Sequence, residues 1–306
     1  MLGLSFAKEI GRNVELLCIV VGALIALKCL VSLFLCISRA LLKKPKNLPS
    51  RYGGGSWVLV TGASDGIGKA FCFAFAARGF NVCLVARNAE KLKAVCQEIK
   101  TSHPKIETKF VVADFGNCCD DKFFDNIMTQ IDTLDISILV NNVGVGVVRR
   151  FGNFTEAELK DMTLINTVPM VLLTRKLINK LMKREHRSAV INVSSGSAIT
   201  PLPYYATYGG SKKFNRYFSL SLEPEFRKRN IDVLCLMPFY VDTQMAKKLK
   251  GSKVTPEACV EGCLRDLGNT DVSFGATKHR WQGWISSLFA SLPKPILDFY
   301  ITKFFK

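Results

Sequence analysis

Six short apolar runs punctuate the chain between Ser56 and Pro238: SWVLVTG, FNVCLVAR, KFVVADF, ISILVNN, SAVINVSS and IDVLCLMP. No other feature narrows the possible folds as much. Runs this short, with little polar alternation, suit strands buried on both faces, and such strands belong to parallel sheets. Helical patterns fall between them, at Lys69–Arg78, Glu90–Lys100, around Cys119–Ile131, at Glu156–Lys183 and at Tyr208–Arg229. Repeated strand–helix units predict an α/β fold with a doubly wound parallel sheet.

A different pattern precedes them. Leu16 to Ile37 is a nearly unbroken apolar run, LLCIVVGALIALKCLVSLFLCI. Its length suits a helix crossing a bilayer. Lys28 interrupts it, at a cost of roughly 2.5–3.5 kcal/mol at mid-bilayer; each Leu, Ile or Val returns about 0.3–0.6. The aliphatics outweigh one lysine, more so if it snorkels. Arg39, Lys43, Lys44, Lys46 and Arg51 follow the run, so the positive-inside bias puts the large C-terminal portion in the cytosol. A secretory signal fits poorly, because charges stand where a small-residue cleavage site belongs. Pro45, Pro49 and Gly53-Gly54-Gly55 read as a linker.

The net charge of +17 admits nucleic acid, an anionic membrane surface or an anionic ligand as partner. The cations are spread over helices and tails with no zinc-finger, RNA-recognition or basic-zipper pattern, which sets nucleic acid aside. Eleven cysteines lie scattered in apolar stretches with no CxxC pair matched to histidines, which argues for reduced thiols and against zinc. His103, His186 and His279 are isolated and read as surface or loop residues, so no metal is expected.

The chemistry is written in a few positions. In Thr61-Gly62-Ala63-Ser64-Asp65-Gly66-Ile67-Gly68, a strand ends and a helix begins. Gly62 allows the tight turn, Gly66 lets backbone approach a pyrophosphate, and Gly68 lets helix and strand pack closely. The phosphates would sit at the helix N-terminus. Tyr208 and Lys212, four apart, share one helix face. An ammonium near a phenol favours the phenolate and would lower the Tyr208 pKa, making it an acid or base near neutral pH. Asn141-Asn142-Val143-Gly144 lies between these motifs, and Ser195 precedes Tyr208 by thirteen residues.

Over roughly Trp57 to Met245 the chain resembles the short-chain dehydrogenase/reductases. TGASDGIG, the strand end at Asp114, NNVG, Asn166, Ser195, YGGSK and PFYVDT carry the resemblance by their order and spacing. Within that family the apolar N-terminal run, NNVG and LPYYATYGGSKKF look most like the very-long-chain 3-oxoacyl-CoA reductases and the microsomal 17β-hydroxysteroid dehydrogenases. The resemblance implies a Rossmann-like fold and a role for each matching position. Tyr208 would protonate a carbonyl oxygen, Ser195 would orient that oxygen, and Lys212 would tune Tyr208 and hold the nicotinamide ribose. Asn166 would complete a proton relay through water; the competing reading is a helix-interior asparagine bonded to backbone near Pro169. Ser194 competes with Ser195, and the family spacing favours Ser195. Ser64, Asp65, Ile67 and the three turn glycines would bind cofactor with Asn141 and Asn142. Asp114 would meet the adenine, and Val241 and Thr243 the carboxamide.

The second strand ends Ala86-Arg87-Asn88, without the acidic residue that binds a ribose 2′-hydroxyl. A guanidinium pairs with a 2′-phosphate, so Arg87 predicts NADPH. Ser64-Asp65 dissent, because many NADPH-using relatives carry a basic residue in that turn. The implied division is 1–15 tail, 16–38 transmembrane anchor, 39–56 basic linker, 57–245 NADP-binding catalytic domain and 246–306 substrate lid with an apolar C-terminal tail. Trp284–Leu292 is too short to span a bilayer and reads either as an interfacial helix or as one packed on the core.

The implied activity is NADPH-dependent reduction of a long or very long 3-oxoacyl-CoA in fatty acid elongation, at the endoplasmic reticulum membrane and facing the cytosol. A sterol ketone is the alternative substrate, and a catalytically inactive membrane-tethered binding protein is the third reading. The implied partners are a lipid substrate and the membrane, with a homodimer and contact with other elongation enzymes left open. The ending Lys303-Phe304-Phe305-Lys306 has one lysine near the place a dilysine retrieval signal needs, which decides nothing.

Overall fold

The computed structural model describes residues 2–42, 44–120, 122–247, 251–292, 295 and 297. The tail from 298, with its terminal lysines, lies outside the described residues. The chain forms two compact units, Met1–Lys44 and Pro45–Lys306. The first is a single helix, α1 (Leu2–Leu42). Gly11–Phe34 within it has a mean hydropathy of 2.7, long and apolar enough to cross a bilayer.

The second unit is built on seven parallel strands: β1 (Trp57–Thr61), β2 (Asn81–Ala86), β3 (Thr108–Val112), β4 (Ile136–Asn141), β5 (Ser188–Val193), β6 (Ile231–Leu236) and β7 (Val272–Ser273). They lie in the order β3-β2-β1-β4-β5-β6-β7. Side chains alternate between two cores, as the pleat requires. Val58 and Val60 enter one core with Phe71, Phe75, Leu92 and Ile99 from α3 (Gly66–Ala76) and α4 (Ala89–Ser102). Leu59 enters the other with Ile127, Ile131, Leu173 and Leu177 from α5 (Phe123–Ile131) and α6 (Glu156–Met182). With α7 (Ala206–Arg227) beside α6, helices cover both faces, and the strands read as continuous apolar runs for that reason.

Packed structure continues past both ends of the expected catalytic domain. The stretch read as linker, 39–56, is not all linker. Asn47 caps a short helix, α2 (Leu48–Tyr52), by accepting from Ser50 N at 3.0 Å. Tyr52 is fully buried, and its hydroxyl donates to Asp232 at 2.7 Å. Likewise 246–306 is not all lid and tail. In α8 (Pro256–Asp266), Cys259, Val260 and Cys263 join the core beside α3, and β7 adds a strand to β6. Two residues are too few to display a strand period, so β7 left no pattern to read. The last well-described helix, α9, spans Thr277–Ala290.

Candidate active site

The chain winds outward from β1 to β3 and then returns past β1 to β4, so the order reverses between β1 and β4. A crevice forms at the carboxyl ends of strands at such a point. Thr61 closes β1 against β4: its Oγ1 accepts from Asn142 N at 2.9 Å and Val143 N at 3.0 Å. Asn142 Nδ2 donates back to Thr61 O at 2.9 Å and Gly62 O at 3.3 Å. The glycine turn is thereby held open as bare backbone. Gly66 has φ +54°, and a Cβ there would stand 2.9 Å from the Thr243 methyl. A Cβ on Gly68 would overlap the Gly62 carbonyl.

Asp65 caps α3, its Oδ1 accepting from Gly66 N at 2.7 Å. Ile67 turns its side chain toward the core, so its amide is what it offers the turn, with that of Gly68. Ser64 sits half-buried in the same turn. Beyond the amide that Asp65 takes, the first-turn amides of this helix suit a dinucleotide pyrophosphate. Arg87 is exposed at the end of β2, in no ion pair among the described residues. Asp114, exposed beyond β3, accepts from Gly116 N at 3.1 Å.

Two expected cofactor residues turn their side chains away from the crevice. Asn141 Nδ2 donates to Asn192 Oδ1 at 2.8 Å and Thr174 Oγ1 at 3.0 Å, so this side chain is spent inside the sheet layer. The Val241 side chain is buried in the core, and Tyr240 O and Asp242 N make the bonds to Val254, so its backbone is what Val241 offers the crevice. Thr243 does reach it, against Gly66.

Tyr208, Ser195 and Lys212 converge at the ends of β5 and α7. Lys212 is buried, its Nζ 3.1 Å from Val193 O and 5.9 Å from the centre of the Tyr208 ring. Burial pushes its pKa down to about 8. The tyrosine departs from expectation. Burial pushes the Tyr208 phenol above its ordinary value of 10, and a hydrogen bond with Ser195 offsets this only in part. Burial outweighs any pull from the Lys212 ammonium, which is bonded to Val193 O and stands 5.9 Å from the ring centre. A phenol held this way keeps its proton at neutral pH and suits a proton donor. Ser194 turns inward instead, its hydroxyl donating to Lys212 O at 2.6 Å. That separates the two adjacent serines.

Both ends of the Asn166 side-chain amide are engaged. Its Nδ2 donates to Val145 O and to Ser211 Oγ, each at 2.9 Å, and its Oδ1 accepts from Val145 N at 2.8 Å. The side chain clamps the segment after β4. Gly144, in that segment, lies so close that a Cβ would come within 2.9 Å of Asn166 Oδ1 and 3.2 Å of Lys212 Nζ.

Sequence reading missed a second set of residues beside Tyr208. The Tyr205 and Tyr240 hydroxyls meet at 3.1 Å, and the Tyr205 ring lies 6.3 Å from that of Tyr208. His279 is fully buried on α9, which overturns its reading as a surface or loop residue. Its Nε2 lies 3.2 Å from Tyr240 O, its ring lies 5.8 Å from Phe239, and burial pushes its pKa down. A cavity of about 30 Å³ beside Tyr208 is lined by Val147, Arg149, Phe151, Phe154 and Tyr204. Tyr204 offered the one local signal, in the Tyr204-Tyr205 pair of the motif; its φ is +68°, rare for a tyrosine.

Comparison with known proteins agrees with this geometry. The family described as short chain dehydrogenase matches residues 56–253. A very-long-chain 3-oxoacyl-CoA reductase of Anas platyrhynchos is 36% identical over 77% of this chain and 76% of its own. The 17-beta-hydroxysteroid dehydrogenase type 3 of Homo sapiens is 35% identical over 81% of this chain and 80% of its own. Among solved structures, a 7β-hydroxysteroid dehydrogenase superposes with a TM-score of 0.73 at 25% identity, covering 84% of this chain and all of that one. A short-chain dehydrogenase from Sphingobium yanoikuyae, solved with NADPH, shares the fold with a TM-score of 0.66 at 22% identity, over 78% of this chain and 97% of that one.

Proposed function

The chain belongs to the short chain dehydrogenase family, and on that premise we propose that it is a membrane-anchored, NADPH-dependent carbonyl reductase. Its substrate is a long or very long 3-oxoacyl-CoA, reduced to the 3-hydroxy product in fatty acid elongation. The observation that carries the reading is the meeting of a protonated phenol, a serine hydroxyl and a buried ammonium at the mouth of the dinucleotide crevice. The names of its relatives support the substrate.

When bound, the reduced nicotinamide supplies the hydride. The rest falls to the chain. Ser195 orients the substrate oxygen, and Tyr208 gives it a proton. Lys212 holds the nicotinamide ribose and compensates the phenolate that remains. The first-turn amides of α3 bind pyrophosphate and Arg87 the 2′-phosphate. Asn166 acts through Val145 and Ser211 as a positioning residue. The linkage from α9 through His279 and Tyr240 to Tyr205 supports a substrate-covering role for the segment after β6. Localisation to the endoplasmic reticulum with a cytosolic catalytic unit is supported by α1 and the basic residues after it.

The direct test is NADPH consumption by the detergent-solubilised protein with a long 3-oxoacyl-CoA. No turnover, with active controls, refutes the reading. A sterol ketone is the second substrate to measure, because the 35% identical human relative is a steroid dehydrogenase. Arg87→Asp tests the cofactor. Loss of a charge-assisted guanidinium–phosphate bond is expected to lower the preference for NADPH over NADH by about one to two orders of magnitude. An unchanged ratio of kcat/KM values removes Arg87 from the argument.

A further inference from the structure

A second cavity, of about 370 Å³, lies away from the crevice among the start of the second unit, α3, α8 and the first turn of α9. Pro45, Lys46, Arg78, Glu261, Arg265 and Thr277 line it. Three cations face one carboxylate there. Arg78 spends its charge in a bidentate pair with Glu261, at 3.0 and 2.6 Å. Lys46 is exposed, and no ion pair among the described residues holds it. Arg265 reaches Asp266 through Nε at 3.6 Å, and its Nη2 has no acceptor among the described residues. The Arg265 side chain is 36% exposed, so its charge is open to an anion in the cavity. The N-cap of α9, Ala276, supplies no side-chain acceptor, so the first amides of that helix add to the positive field.

The cavity is joined to two apolar features. By chain connection, Pro45 and Lys46 come three and four residues after the last residue of α1. From Thr277, α9 continues into a stripe at four-residue spacing: Trp281, Ile285 and Phe289 are 44%, 45% and 45% exposed. His279 and Gly283 on its other side are buried. A helix with one face on the protein and an exposed aromatic and aliphatic face suits the plane of a membrane surface. With that face in a membrane surface, a cavity at the start of the helix would lie at headgroup depth.

We propose that this cavity binds the phosphate of an anionic phospholipid headgroup, with the Trp281–Ile285–Phe289 face of α9 lying among the acyl chains of the same leaflet. Lys46 and Arg265 provide the charge, and Arg78 with Glu261 forms the wall. The site rests on the membrane reading of α1 and not on the identity of the substrate.

The test uses the full chain in neutral detergent, titrated with dioctanoyl phosphatidic acid, dioctanoyl phosphatidylcholine or inorganic phosphate. Binding is read from tryptophan emission and from the shift in melting temperature. Phosphatidic acid is expected to bind saturably and about tenfold more tightly than either other ligand, with Arg265→Gln and Lys46→Gln each weakening it about tenfold and Arg265→Lys recovering part of the loss. Equal affinity for phosphatidylcholine, or wild-type binding by both charge-removing variants, overturns the proposal. Inorganic phosphate binding as tightly as the lipid overturns the lipid assignment. Lys46 is exposed, so its variant reports even if Arg265→Gln fails to fold. Ketone turnover is measured on the same samples, and its absence leaves the lipid result standing.

Discussion

Tyr208→Phe is expected to lower kcat for ketone reduction by about three orders of magnitude, the upper part of the range for losing a general acid. NADPH affinity should stay within about threefold, because the ring remains and only the hydroxyl is lost. The geometry gives this its force. The phenol sits beside Ser195 with its pKa pushed up by burial, so at neutral pH it holds a proton ready to donate. Two neighbouring hydroxyls are already engaged. Ser194 is committed to Lys212 O, and Tyr205 is committed to Tyr240. Burial brings Lys212 down to about 8. The pH profile follows from the two shifts. Reduction should hold level through neutral pH, then decline above about 8 as the ammonium loses its charge while the phenol remains protonated. Full-speed reduction by the phenylalanine variant, measured with cofactor saturating, ends the mechanism.

The second large effect is on stability. Asp232→Asn is expected to cost about 3–5 kcal/mol, the range for removing one partner from a buried ion pair. Asp232 accepts from Arg51 at 2.7 and 3.0 Å, from Arg187 at 2.8 and 3.2 Å, and from Tyr52 at 2.7 Å. Its side chain is 11% exposed. An asparagine leaves two guanidinium groups facing each other without their counter-charge. Denaturant or thermal melting of the full chain reads the loss. The pH dependence identifies the cause. Burial raises the Asp232 pKa, but the bonds from Arg51, Arg187 and Tyr52 together outweigh it and leave the carboxyl below its ordinary value. In the unfolded chain it titrates near 3.9, so its contribution is complete above that value and is lost as pH falls through the lower folded value. The gap between wild type and variant should therefore stay constant from about pH 5 upward and close in acid. A gap below about 1 kcal/mol at neutral pH would reduce this cluster to an ordinary surface bridge.

That cluster also shows where sequence reading fails. Arg51 and Asp232 are 181 positions apart, and no local pattern links them. The Pro/Gly stretch around Arg51 looked like a linker because turn residues punctuate both linkers and tight caps; Tyr52, buried on Asp232, decides between the two. His279 carried no neighbour in sequence to mark it as buried, and only the packing of α9 against Tyr240 makes it so. Asn141 and Asn142 are adjacent in one motif, yet they point to opposite sides of the strand end. One ties the glycine turn, and the other bonds inside the sheet.

By itself the sequence determined the strand–helix alternation, the glycine turn, the pairing of Tyr208 with Lys212 and the apolar N-terminal helix. Each rests on a local cause: the period of a strand or helix, the steric freedom of glycine, or the length of an apolar run. Only the tertiary structure decided where Ser194 turns, which way that phenol titrates, what Asn166 holds, and that α8 and β7 belong to the core. Those depend on burial and on partners distant along the chain, and the low dielectric of a packed interior sets their energies.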